Sequence, residues 1–228
     1  MILQLKNISK YYQIPGSKQR RVILDDINLE IARGQTVGIV GPSGSGKSTL
    51  LNIAGTLDKA TAGSVFFEGE DVSAFDENKL SQFRNRYLGF VFQRHLLLPQ
   101  LSLLENVLLP LIPQKDKHFR EAAKVRAYEL LGLVGLKDII NQKPGQMSVG
   151  ECQRAALVRA LINEPELVLA DEPTGSLDQN SADQMGELLR TINTESGITL
   201  VVVTHSERLA SQMQVVYSLA DGKLSKRS

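Results

Sequence analysis

Apolar and polar residues alternate at two places near the start of the chain. In Met1 to Tyr12 (MILQLKNISKYY), and again where Ile27, Leu29 and Ile31 alternate with Asn28 and Glu30, the period is two. That period wets one face of a strand and buries the other. Arg33-Gly34 then turns the chain into Thr36-Val37-Gly38-Ile39-Val40, a run with no polar face, which predicts a strand covered on both sides. Leu88 to Phe92, Leu167 to Ala170 and Thr199 to Val203 are short apolar runs of the same kind, separated by helical patterns. Buried strands linked by helices indicate a parallel sheet with crossovers, so the expected core is a doubly wound α/β fold. Phe119, Ala123, Ala127, Leu130 and Val134 recur every three or four residues among Arg120, Glu121, Lys124 and Arg126, which predicts an amphipathic surface helix. No strand pattern interrupts the stretch from about Leu101 to Leu161, so a mostly helical lobe inserted between core strands is expected there. Val215 to Leu219, Asp221-Gly222 and Lys223-Leu224 read as a closing hairpin.

Composition narrows the classes. A chain of 228 residues, 42% hydrophobic and 22% charged, can bury the core of one globular domain with lobes. The formal charge is +1, and the longest basic run is the short Lys18 to Arg21 stretch after Pro15, Gly16 and Ser17, read as a solvated turn between strands. Charge therefore does not point to nucleic acid. Cys152 is the only cysteine, which excludes an internal disulfide and allows a reducing compartment. The N-terminus has neither the basic start nor the cleavage site of a signal peptide. The most membrane-like stretch, Leu96 to Pro113, is broken by Pro99, Pro110 and Pro113 and carries Gln100, Glu105 and Asn106, so it is not expected to span a bilayer.

Chemistry enters at Gly41-Pro42-Ser43-Gly44-Ser45-Gly46-Lys47-Ser48, which fits G-x-x-x-x-G-K-[ST] between a buried strand and a helix-forming Thr49 to Ile53. Glycines let backbone N–H groups turn inward around phosphate oxygens at a helix start, Lys47 adds a charge for the β- and γ-phosphates, and Ser48 can ligate Mg²⁺. A plain Gly-rich turn would not need Lys-Ser. The strand Leu167 to Ala170 ends in Asp171 and Glu172, at the sheet edge where open α/β folds hold nucleotide. Asp171 suits the magnesium shell, and Glu172 suits a general base for water.

Taken together, these motifs resemble the ABC ATPase family over essentially the whole chain and in the family's order: phosphate loop, Gln93, Ser148 to Gln153, Asp171-Glu172, Asp178, His205. The resemblance implies a P-loop NTPase core with an N-terminal antiparallel β lobe, together residues 1–92 and 162–228, and a helical lobe over about 93–161. It implies ATP as ligand from Tyr12 and the loop Gly41 to Thr49, with Ser48, Gln93 and Asp171 around Mg²⁺. Gln93 would reach the metal and the attacking water and move with a transport partner, and His205 would be the switch near the γ-phosphate. Tyr12 would stack on adenine, with Tyr11 ranked second. Met147 to Arg154 resembles the family signature Leu-Ser-Gly-Gly-Gln, whose helix start, here Ser148, Gly150 and Glu151, clamps the γ-phosphate held by the opposite subunit of a homodimer, while Asp178 crosses the subunit boundary. On its own, Ser148 with Glu151 is a capping box, and a capped helix start is itself an anion site. Two residues depart from the signature. Val149 replaces its first glycine and, being β-branched, must take the negative φ of a first helical residue. Cys152 replaces a polar residue and, with no neighbouring His, reads as helix packing. His95 and His118 match nothing and read as structural.

Gly89 to Gln93, Leu97-Leu98-Pro99, Leu104 to Val107, Pro110-Leu111 and Asp171 to Gly175 are similar to the lipoprotein-releasing and macrolide-exporter branch. That branch implies a peripheral homodimer on the cytoplasmic face of the inner membrane, touching the bilayer only through separate transmembrane subunits, and working on exported or membrane-held substrates. A cell-division subunit that signals to wall hydrolases stays open as the alternative. A DNA-repair or translation ATPase would need coiled coils or a second cassette, and a P-loop kinase would lack the signature and His205.

Overall fold

The unbroken apolar runs form neighbouring strands. In the computed structural model, which describes residues 1–13, 16 and 20–227, the chain runs β1 (Leu3–Gln13), β2 (Arg20–Ile31), β3 (Thr36–Val40), α1 (Lys47–Ala54), β4 (Ala62–Phe67), β5 (Glu70–Asp71), α2 (Glu77–Tyr87) and β6 (Leu88–Val91). It continues with α3 (Leu103–Leu108), α4 (Lys117–Leu133), α5 (Val149–Leu161), β7 (Leu167–Asp171), α6 (Gln179–Ser196), β8 (Thr199–Thr204), α7 (Glu207–Ala210), β9 (Val215–Ala220) and β10 (Lys223–Lys226). Of the turn expected over Lys18 to Arg21, Lys18 and Gln19 lie outside the described residues, whereas Arg20 and Arg21 are not in a turn but open β2, where they pair with Gln13 and Tyr12 of β1.

The strands form two sheets. One is antiparallel, in the order β2-β1-β4-β5, and the other has six strands, β10-β9-β3-β8-β7-β6. In the larger sheet β9, β3, β8, β7 and β6 run parallel, and only β10 is antiparallel, through the hairpin at Asp221 and Gly222, both at positive φ. Every residue of β3 and of β8 is buried, as strands covered on both faces require. A shared core joins Ile8, Leu24 and Ile31 of the antiparallel sheet to Ile39, Leu169 and Val203 of the parallel one, so the two sheets position each other.

The chain leaves the large sheet after Val91 and returns at Leu167. The helices between them, α3, α4 and α5, enclose a separate core that includes Leu103, Val107, Ala123, Ala127, Leu131, Cys152, Ala155 and Val158. The buried face of α4 is Ala123, Ala127 and Leu131, so Leu131 is fully buried where the sequence pattern pointed to Leu130, which is only partly covered. Spacing of i, i+4, i+8 fits the helical period as well as the expected set, and packing against α3 and α5 decides between them. Cys152 lies in this core with its thiol pushed up by burial, the packing role expected of it. Among the described residues no helix is long and apolar enough to cross a membrane.

Candidate active site

Parallel register brings the chemistry to one edge. Val40 pairs with Thr204, Asp171 with Val203 and Val91 with Ala170, so β3, β8, β7 and β6 end nearly level. The residues that follow these ends are Gly41, His205, Glu172 and, two beyond Val91, Gln93.

The loop after β3 has a shape that side chains would spoil. A Cβ on Gly41 would lie 2.2 Å from the Leu219 carbonyl oxygen, so only glycine lets the chain pass this close to β9. Gly46, at φ +100, caps α1, and the α1 N-terminus faces the loop's interior. Lys47 is buried at 7% exposure, with Nζ donating to the carbonyls of Gly41 at 2.9 Å and Pro42 at 3.1 Å, so the lysine ties the loop to itself.

Two carboxylates face this loop from β7. Ser48 Oγ donates to Asp171 Oδ1 at 3.0 Å. Burial pushes the Asp171 carboxyl above its ordinary range, an effect that the Ser48 hydroxyl and Lys47 offset in part and neighbouring Glu172 adds to. A partly buried anion next to a hydroxyl is a hard oxygen donor set of the kind that Mg²⁺ takes alongside phosphate oxygens. Glu172 has φ +47, a strained value for a residue with a Cβ, after its N–H donates to the Val203 carbonyl at 2.8 Å. One of its oxygens lies 3.8 Å from Lys47 Nζ; the other accepts from the His205 N–H at 3.1 Å and lies 2.8 Å from His205 Nδ1. A carboxylate so fixed, and only 13% exposed, is suited to take a proton from water.

Of these groups Lys47, Ser48, Glu172 and His205 line a cleft of about 540 Å³, bounded also by Ser43, Gly44, Gly46, Thr49 and Gln93, while Asp171 is held to it through Ser48. The amide of Gln93 lies against Gly175, where a Cβ would be 3.1 Å from Nε2. Ile23 of β2 completes the wall, next to Gly46; sequence pattern gave no sign of it, because it reaches the cleft only through the packing of one sheet on the other. Tyr12 does not line the cleft. It is half exposed at the end of β1, with its hydroxyl 3.4 Å from Asp58 Oδ2 and its ring 5.2 Å from Lys10 Nζ, while Tyr11 packs under Arg20.

A second group of expected residues gathers elsewhere. Ser148 caps α5 and forms a capping box with Glu151, the Ser148 N–H donating to Glu151 Oε2 at 2.7 Å. Val149 is the first helical residue, at negative φ and 52% exposed. Gly150 lies beside Ser181, whose hydroxyl donates at 2.6 Å to Asp178, the cap of α6. Ser148, Gly150, Glu151 and Asp178 thus share one neighbourhood, and none of them lines the cleft of its own chain. His95 accepts from the Leu97 N–H at 3.1 Å, and His118 lies exposed in the first turn of α4.

A profile of the ABC transporter family matches residues 24–175. The lipoprotein-releasing system ATP-binding protein LolD of Geobacter metallireducens is 49% identical over 224 residues, 98% of this chain and 97% of that protein. The protein of the same name from Myxococcus xanthus is 47% identical over 225 residues, 98% of each chain. Among solved structures, the ATP-binding cassette MJ0796, dimeric in a post-hydrolysis state with ADP and Pi, is 38% identical with a TM-score of 0.87 over 100% of both chains. A second dimeric structure of that bacterial ABC transporter cassette is 40% identical, with a TM-score of 0.88.

Proposed function

Because this chain belongs to the ABC transporter family, as an ATP-hydrolysing subunit that dimerises and works with separate membrane subunits, we propose that its work is the release of lipoprotein from a membrane. The observation that carries the reading is the match, at 49% identity and along 98% of the chain, to a protein named for lipoprotein release. It also favours this branch over the cell-division alternative. The subunit would act on the cytoplasmic face of the membrane, reaching the bilayer through its partners.

The cleft supports an assignment of roles. The loop Gly41 to Thr49 would hold the phosphates, with Lys47 as the charge on the β- and γ-groups. Glu172, oriented by His205, would take the proton of the attacking water, and Gln93 would orient that water. Ser48 and Asp171, with Gln93, would hold Mg²⁺, which supplies positive charge to the phosphate oxygens when bound. Tyr12 would contribute an aromatic face for adenine from the end of β1. Ser148, Gly150, Glu151 and Asp178 would complete the partner chain's site.

Isolation of the complex from solubilised membranes tests the reading. The chain should co-purify with its integral membrane subunits, and the reconstituted complex should transfer a lipidated protein from vesicles to a soluble acceptor only with ATP and not with Glu172→Gln. ATP turnover without any lipoprotein transfer, or co-purification with a subunit bound to a wall hydrolase, would overturn it.

A further inference from the structure

The segment that carries Gln93 lies outside every strand and helix, yet side chains grip its backbone. Gln153 Nε2 donates to the Phe92 carbonyl at 2.7 Å, and Ser176 Oγ donates to that of Gln93 at 3.3 Å. Arg159 donates through Nη2 to the carbonyl of His95 and through Nη1 to that of Leu96, both at 2.7 Å. The segment needs such a hold: Leu96 has φ +49 and an exposed side chain, a conformation that neither glycine freedom nor burial explains. Two of the three gripping residues, Gln153 and Arg159, belong to α5, the helix that Ser148 begins.

Gln153 is fully buried, and its Oε1 has no hydrogen-bond partner. A methionine would fill similar space without burying an unpaired carbonyl, so packing does not account for the amide. Its bond to Phe92, the residue before Gln93, does. Arg159 repeats the pattern, because burial lowers its pKa while its bonds go to two carbonyls and to no carboxylate. Both side chains carry an unfavourable feature that only the held segment explains.

We propose that Gln153 is a positioning residue for Gln93, and that α5 thereby joins the two halves of the composite site within each chain. The inference rests on the reading that Gln93 acts in hydrolysis. The helix is continuous from Val149 to Leu161, so a displacement of its N-terminus, where Ser148 would meet the partner chain's phosphate, displaces the anchor of Gln93 with it. Nucleotide in one site is then felt at the glutamine of the other.

The test uses Gln153→Met, which keeps volume and removes the amide, and Gln153→Glu, which keeps shape and replaces the N–H donor by an oxygen. In the full chain without nucleotide, amide hydrogen exchange should rise at Leu97 and Leu98, whose N–H groups donate to His95 Nδ1 and Asn106 Oδ1, and stay constant along α5. With the membrane partner present, kcat should fall roughly 10- to 100-fold, the scale of a misplaced group, with KM for ATP nearly constant. Gln93→Ala combined with Gln153→Met should be no slower than Gln93→Ala alone. Unchanged exchange at Leu97 and Leu98 in both variants, or losses that multiply in the double variant, would overturn the proposal. If Gln93→Ala alone leaves turnover intact, the role given to Gln93 fails separately, and the exchange data still decide whether Gln153 fixes the segment.

Discussion

At Lys47 binding and folding come apart. Its ammonium is the cation nearest Glu172 in the cleft and also bonds two loop carbonyls, but the loop's turns at Gly44 and Gly46, both at positive φ, belong to the glycines. Lys47→Ala should therefore weaken ATP binding by roughly 10- to 100-fold, the worth of one hydrogen bond to a charged group, while thermal unfolding changes far less. Titration calorimetry beside a melting curve measures both, and an unaltered affinity would contradict the assignment. Val149 poses the opposite question, whether a departure from the family signature has disabled the enzyme. Its φ is negative and its side chain half exposed at the start of α5, so the valine neither strains the turn nor displaces the Ser148 hydroxyl or the Gly150 N–H. Val149→Gly should preserve or raise ATPase activity, at a helix cost of about 1 kcal/mol or less. Phosphate release by the wild type with its membrane partner, at a rate no higher than that of Glu172→Gln, would instead mark Val149 as the sign of an inactive subunit.

Among the elements, α5 is where a local sequence rule and the proposed function meet. Ser148 and Glu151 satisfy each other's backbone N–H groups, and the Ser148 N–H holds the Glu151 carboxyl below its ordinary value of 4.5. A depressed folded-state pKa contributes stability that is present above about 4.5 and is lost as pH falls through the lower folded value. Glu151→Gln keeps an acceptor that does not titrate, so urea midpoints measured at pH 7 and pH 4 should fall less between the two in the variant than in the wild type. An equal fall would assign the acid limb to other carboxylates. This cap was legible in the sequence because its partners lie three residues apart. So were β3, β7 and β8, which have no polar face, and the phosphate loop, whose spacing is its own geometry. What escaped has a physical reason in each case. The alternation of β4 is broken by Gly63, which lies within 2.4 Å of two β1 carbonyls if given a Cβ, and α2 buries only Leu80 and Phe83. Ile23 at the cleft wall and Gln153 beneath Phe92 act through contacts 23 and 61 residues away in sequence, from Gly46 and Phe92 respectively, and no local period records such pairs.

For the whole molecule, the two halves of the proposed composite site do not meet within a single chain. The cleft contains the phosphate loop, Gln93, Glu172 and His205, whereas Ser148, Gly150, Glu151 and Asp178 gather at the starts of α5 and α6. Two chains related by a two-fold axis can place each half against the other's complement, giving two equivalent sites with ATP between the subunits. Because nucleotide then belongs to the interface, its binding favours the dimer by mass action, by about 2.7 kcal/mol for each site at a hundred-fold excess over Kd. Hydrolysis dissipates that gain, so the dimer should be most visible where chemistry is blocked and binding is not. Glu172→Gln meets both conditions. The carboxamide oxygen can still accept from the His205 N–H, which now reaches Glu172 Oε2 at 3.1 Å, but the amide cannot take a proton from water. It also removes a negative charge, 3.8 Å from Lys47 Nζ, that would otherwise face the γ-phosphate. Turnover should fall to background while ATP affinity holds or rises. Light scattering with MgATP should give twice the 25.1 kDa of one chain for the variant and mostly single chains for the wild type once its ATP is spent. Single chains throughout, for both proteins with fresh MgATP, would show that the isolated subunit does not share its sites and would leave the membrane partners as the agents that bring the two halves together.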